Sequence, residues 1–201
     1  MRIIGGTAKG RKLVSPKGLD VRPMMDRVRE AVFSMLTHLD ALHGRVLDLY
    51  SGTGAVGMEA LSRGMEEAHF VERDPRAVAV IWQNLRALGF DKQAQVHRRN
   101  VEDVLTKPHL LGTSEPFDLI SVTPPYQEVD YNWLVPAVAV SPFVKPGTIV
   151  LVEYPRELGH LPEHVGRLHM LRDRQYGRTR VAIYEARDEN DQRAEEEEHE
   201  P

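Results

Sequence analysis

Asp48-Leu-Tyr-Ser-Gly52-Thr-Gly54-Ala-Val-Gly57 continues a short apolar run that begins at Arg45, and a largely apolar stretch follows it to about Arg63. A strand that empties into a glycine turn and then a helix is the opening unit of a parallel α/β sheet. Gly52, Gly54 and Gly57 have the G-x-G-x-x-G spacing of a dinucleotide-binding turn, and Glu72 follows twenty residues after Gly52. Asp48 argues against a dinucleotide. It ends the strand four residues before Gly52, where its charge would repel a pyrophosphate and favour a cationic ligand without phosphate.

The turn therefore resembles the first methyltransferase motif, D-L-x-x-G-x-G, whose cofactor S-adenosylmethionine carries an ammonium, a sulfonium and no phosphate. On that reading Asp48, Ser51, Gly52, Thr53 and Gly54 line the cofactor, with glycine permitting close approach of the backbone. Glu72, ending Phe-Val-Glu, is placed to accept hydrogen bonds from both ribose hydroxyls. Asn100 and Val101 follow a later strand, where Asn100 would read the adenine edge and Val101 would cover its face.

Outward from the turn, short apolar strands alternate with helices. Strands are expected at Arg45–Tyr50, Ala68–Glu72, Gln95–Arg98, Phe117–Val122 and Thr148–Glu153. Val28, Val32, Met35, Leu36 and Leu39 recur at helical spacing after Asp26, and Pro75 opens a helix that runs to Leu88. Leu168–Arg172 and Arg180–Ala186, joined through Tyr176-Gly177-Arg178, give an antiparallel edge. The fold class is α/β, a class I Rossmann-like methyltransferase fold with a mostly parallel seven-stranded sheet, preceded by a small N-terminal β-hairpin.

Thr123-Pro124-Pro125-Tyr126 ends the fourth of these strands. Two prolines fix φ and remove two amide donors, so the loop is stiff and offers carbonyls. A rigid carbonyl and a neighbouring side-chain oxygen can hold both hydrogens of an amine, and Tyr126 offers a face for a planar base. Those are the demands of amine methylation, which needs orientation more than acid–base work. The element resembles the (D/N/S)-P-P-(Y/F/W) motif of N-methyltransferases, with Thr123 departing from its first position.

Charge is distributed unevenly along the 201 residues. Residues 188–201 hold eight acidic groups and one Arg, too acidic and apolar-poor to join a core, and are expected to be disordered. The net charge of −4 therefore hides a +3 balance in residues 1–187. Eight Lys and Arg stand against Asp20 and Asp26 in the first 29 residues, a footprint suited to a polyanion. Cysteine is absent, excluding disulfides and thiolate metal sites. No metal site is expected, because Gly159 and Pro162 oppose the helix that would align His160 with His164. No apolar run approaches ~20 residues, and a cytoplasmic protein with no membrane partner is expected.

With these residues in view, residues 2–186 resemble the RsmD family, bacterial enzymes that methylate the 2-amino group of one guanine in small-subunit ribosomal RNA. The similarity rests on Arg2-Ile-Ile-Gly-Gly6, Lys9-Gly-Arg-Lys-Leu13, Arg22-Pro23 with Asp26-Arg-Val-Arg-Glu30, Leu47–Gly64, Pro124-Pro-Tyr126, Val152-Glu153 and Tyr176–Tyr184. The resemblance implies three parts: a basic arm over residues 1–23, a methyltransferase domain over 24–187, and the tail. It implies RNA contacts by Arg2, Lys9, Arg11, Lys12, Arg22 and Arg27, and a monomer acting on an assembling small-subunit particle. S-adenosylhomocysteine would be the product. A protein glutamine N-methyltransferase and a non-catalytic ribosome-assembly binding protein are the alternatives; the first leaves the basic arm without a purpose.

Overall fold

A computed structural model describes residues 1–15 and 24–188. Strand β1 (Arg45–Leu49) lies at the centre, parallel to β2 (Glu67–Glu72) on one side and to β4 (Phe117–Val122) on the other. Strand β3 (Ala94–Arg98) continues the parallel sheet beyond β2, and β5 (Val144–Pro155) continues it beyond β4. The chain then returns antiparallel through β8 (Thr179–Ala186), β7 (Leu168–Tyr176) and β6 (His164–Val165). The order is β3-β2-β1-β4-β5-β8-β7-β6. The expected parallel sheet with an antiparallel edge is present, with eight strands rather than seven. The additional one is the two-residue β6, too short to leave a period in the sequence.

Alternation along the strands divides the core into two layers. Val46, Ala68, Phe70, Leu119, Leu151 and Ile183 face α1 (Asp26–His38), α2 (Ala55–Ser62) and α3 (Pro75–Leu88). Leu47, Leu49, Val71, Ile120, Val122 and Val152 face α4 (Val101–Thr106) and α5 (Tyr131–Val140). Strands covered on both faces read as unbroken apolar runs, which is why β1, β2 and β4 are legible in the sequence. Helix α3 has clear ends: the Asp74 side chain accepts from the Arg76 amide at 2.8 Å, Pro75 follows, and Gly89 closes it at φ 76°. Helix α5 gives no such signal, because its segment is apolar nearly all round and contains Pro136. No helix among the described residues is long and apolar enough to cross a membrane.

The N-terminal segment folds back on itself. Its two limbs are joined by one antiparallel bridge, Arg2 with Lys12, and by hydrogen bonds from the Ile3 amide to the Arg11 carbonyl at 2.9 Å, from Gly10 to Ile3 at 2.8 Å and from Leu13 to Met1 at 3.1 Å, and the segment is docked on the domain. Ile3, Ala8 and Leu13 are buried with α1 and α2. The Glu59 carboxylate of α2 accepts the Ile4 and Gly5 amides, both at 2.8 Å. Ser62 accepts from the Ala8 amide at 2.9 Å and donates to the Gly5 carbonyl at 2.6 Å. Gly6 has φ 75°, and a Cβ there would lie 1.7 Å from the Ser62 carbonyl oxygen, so only glycine fits. Arg29 is fully buried beneath this contact. Its guanidinium donates to the Arg2 carbonyl and to Asp26, with Nε 3.7 Å from Glu59 Oε2. Pro16 to Pro23, with Arg22, and the acidic tail from Glu189 lie outside the described residues.

Glu59→Ala would strand two arm amides and leave Arg29 buried beside a lost charge. Removing one member of a buried pair costs about 3–5 kcal/mol, so urea unfolding of this variant should show a loss of about 3 kcal/mol or more. A loss below ~1 kcal/mol, the scale of a surface ion pair, would show that the arm does not depend on this carboxylate.

Candidate active site

The carboxyl ends of β1 to β5 open at one edge of the sheet. From β1 the chain runs outward through β2 and β3, and from β4 it runs the other way to β5. The switch point therefore lies between β1 and β4, where α/β sheets place their ligands. Leu49 and Val122 are register partners there, and the Thr123 amide donates to the Leu49 carbonyl at 3.5 Å. The glycine turn and the Thr-Pro-Pro-Tyr element are thereby side by side.

Tyr50 begins the turn at φ 58°, a left-handed conformation that costs a non-glycine residue roughly 1–2 kcal/mol. Its hydroxyl donates to Glu102 of α4 at 2.8 Å, which ties it across the crevice. Gly52 and Gly54 also have positive φ, 55° and 77°. Gly57 has a different reason: a Cβ there would lie 2.4 Å from the Phe70 ring of β2, so glycine lets α2 rest on the sheet. The Gly57 amide donates to Asp48 Oδ2 at 3.0 Å. Asp48 is fully buried, and its Oδ1 has no hydrogen-bond partner among the described residues. Burial pushes its carboxyl up to about 7, against the Gly57 amide. Ser121 faces Asp48 across the register and offsets part of that rise without reaching hydrogen-bond geometry.

Ser51 is held by its own hydroxyl, which donates to the Asp48 carbonyl at 2.6 Å. Thr53 is buried under the arm, with its hydroxyl 3.9 Å from Met1 Sδ. The half-buried Glu72 carboxylate accepts the Gly52 amide at 2.8 Å and the Asp74 amide at 2.9 Å, joining the ends of β1 and β2. Asn100 is exposed after β3, donating to Asp103 at 3.3 Å. Val101 is buried in the core beneath.

At the end of β4, Pro125 is turned by its carbonyl, which accepts from the Glu128 amide at 3.1 Å. Among the described residues nothing donates to the Pro124 carbonyl, and the Thr123 hydroxyl has no partner. The Tyr126 hydroxyl is fixed at its far end, 2.9 Å from Glu153 Oε1 of β5 and 2.8 Å from the Thr179 hydroxyl of β8. Glu153 is buried, and burial lifts its carboxyl to about 7 while Tyr126 opposes the rise. Sequence reasoning did not assign Glu153 or Thr179 to the site. The available signal was that Val152-Glu153 repeats the pattern of Val71-Glu72, a buried strand ending in a carboxylate.

Arg2, Lys9, Arg11, Lys12 and Arg27 are all exposed. They are not equivalent, because the Arg11 guanidinium donates to the Ala87 carbonyl near the end of α3. Arg29, one of the eight cations of this region, is buried and unavailable to a ligand.

The family model described as conserved hypothetical protein 95 matches residues 1–185. The YlbH protein of Bacillus subtilis (strain 168) is 40% identical over 189 residues, covering 93% of this chain and 100% of that protein. Ribosomal RNA small subunit methyltransferase D of Haemophilus influenzae is 31% identical over 156 residues, covering 76% of this chain and 78% of that protein. A solved structure of a hypothetical protein from Thermus thermophilus superposes with a TM-score of 0.78 at 34% identity, covering 92% and 99% of the two chains.

Tyr126→Phe removes the donor that steadies the Glu153 carboxylate. Glu153 lies above its unfolded value of ~4.3, so its contribution to stability is present at low pH and lost as pH rises through about 7. The phenol offsets that loss only when the carboxylate is charged. Urea unfolding should therefore show a larger penalty for Tyr126→Phe at pH 8, about 1–3 kcal/mol, than at pH 6. An equal penalty at both would contradict this anchoring.

Proposed function

Because this chain belongs to the RsmD family, whose model spans residues 1–185, we propose that it methylates RNA, using S-adenosylmethionine and modifying the exocyclic 2-amino group of a guanine in small-subunit ribosomal RNA. The products are N2-methylguanosine, S-adenosylhomocysteine and a proton. The observation that carries this reading is the pair of free acceptors, Thr123 Oγ1 and the Pro124 carbonyl, beside a tethered aromatic ring at the switch point.

The residues present fit the cofactor. Asp48 Oδ1 is a buried acceptor without a partner among the described residues, the counterpart a cationic ligand needs. Asp48, Ser51, Gly52, Thr53 and Gly54 would hold the amino-acid end. Glu72 keeps acceptor capacity for ribose hydroxyls beyond its two backbone bonds. Asn100 would read the adenine edge and Val101 would cover its face. When bound, S-adenosylmethionine supplies an electrophilic methyl group on its sulfonium.

The chain's own contribution is positioning. The Pro124 carbonyl accepts one amine hydrogen and the Thr123 hydroxyl accepts the other, which orients the nitrogen lone pair. Both bonds strengthen as positive charge develops on nitrogen, so they assist chemistry more than binding. The Tyr126 ring, held by Glu153 and Thr179, supplies a fixed surface for the base. Arg2, Lys9, Lys12 and Arg27 would engage phosphates, with Arg11 able to join them only by leaving Ala87. The substrate on this reading is an assembling small-subunit particle, met by a monomer in the cytoplasm.

The test is transfer of methyl label from S-adenosylmethionine to small-subunit ribosomal RNA by the full chain. Label should enter RNA, and Thr123→Ala should slow the single-turnover rate by about 10- to 100-fold, or ~1.4–2.7 kcal/mol, with cofactor affinity little changed. Label found in protein glutamine instead, or no transfer at all, would overturn the proposal. An unchanged Thr123→Ala rate would leave the positioning to Pro124 alone.

A further inference from the structure

Asn84 is an almost fully buried polar residue on α3, between the arm and the glycine turn. Its Oδ1 accepts the Val14 amide at 2.8 Å, and its Nδ2 donates to the Val14 carbonyl at 3.0 Å. The same Nδ2 donates to the Thr53 carbonyl at 3.3 Å. Both amide hydrogens are thus in use, one on the arm and one on the turn. The side chain pairs with Val14 as a neighbouring strand would, while holding the segment between Gly52 and Gly54.

The rest of the arm ends on the same unit. Its first limb is held by Glu59 and Ser62 of α2, the helix that the glycine turn begins. Met1 touches Thr53. The arm's own pairing is one bridge and a few backbone hydrogen bonds between two short limbs, and an isolated two-stranded segment is marginal in water. The positions of Arg2 and Lys12 therefore depend on what anchors the arm, and one anchor is shared with the turn.

We propose that Asn84 is a positioning residue that couples occupancy of the glycine turn to engagement of RNA by the arm. This rests on the reading of the turn as a cofactor site and of the arm as an RNA contact. A ligand that orders the turn fixes the Thr53 carbonyl, and through the Asn84 carboxamide it orders Val14 and the cations beside it. RNA that has paid less to order the arm binds more tightly. Linkage makes the effect reciprocal, so RNA must tighten cofactor binding by the same factor.

The experiment measures S-adenosylhomocysteine affinity of the full chain by calorimetry, with and without a small-subunit ribosomal RNA transcript. RNA should tighten binding at least ~5-fold, the lower end of ordinary coupling. Asn84→Asp keeps the acceptor for Val14 but turns an oxygen toward two carbonyls, and should reduce the factor below ~2-fold while each ligand alone still binds within about 3-fold of wild type. Val14→Pro removes the arm amide at an exposed residue, leaves Asn84 in place and should also lower the factor, which covers a failure of Asn84→Asp to fold. In the wild-type chain, S-adenosylhomocysteine should slow hydrogen exchange at the Val14 amide. Binding of both ligands without coupling, or coupling retained in a folded variant, overturns the inference alone. Failure of either ligand to bind wild type overturns the methyltransferase reading and this inference with it.

Discussion

The hydrogen bond from the Gly57 amide to Asp48 spans nine residues of chain and closes the glycine turn on itself. Together with the bonds from Gly52 to Glu72 and from Gly54 to Ser51, it ties the first turn of α2 to the end of β1. With it, α2 lies against Phe70 at a distance only glycine allows, and Glu59, two residues further along, meets the Ile4 and Gly5 amides. Asp48 thus shares the setting of the turn with Glu72, the turn starts the helix, and the helix holds the arm. The cost is burial of a charge, visible in the rise of the Asp48 carboxyl to about 7.

The other half of the crevice is also built on a strand-end acid. Glu153 lies near the end of β5 as Glu72 ends β2, but the two do different jobs. Glu72 accepts two backbone amides and shapes the turn. Glu153 accepts a phenol and fixes a ring. The stiffness of Thr123-Pro-Pro-Tyr therefore comes from two sources, the prolines along the chain and the tether at Tyr126. That division matches a reaction in which geometry, more than proton transfer, limits the rate.

The parallel core was legible because its strands are apolar on both faces and end in recognisable turns. Asp48, Gly52, Gly54 and Glu72 were legible because their spacing reflects backbone constraints local to one βα unit. Contacts between distant segments were not. Nothing in the sequence says that Arg29 turns inward to Glu59, that Arg11 reaches Ala87, or that Asn84 bonds Val14 seventy residues away. Charge counting reads the arm as a basic hairpin; what it leaves out is that the arm is docked on α2, that Arg29 is buried and that Arg11 bonds Ala87. Helix α5 escaped notice because an apolar segment with an internal proline has no helical period to read.

The central claim, that one guanine amine in small-subunit ribosomal RNA receives the methyl group, is tested most directly in cells. Ribosomal RNA from a strain lacking this gene would be digested and its nucleosides mapped by mass spectrometry against the parent strain. The account predicts the loss of N2-methylguanosine at a single small-subunit position, restored by the wild-type chain. An unchanged small-subunit methylation pattern would contradict it.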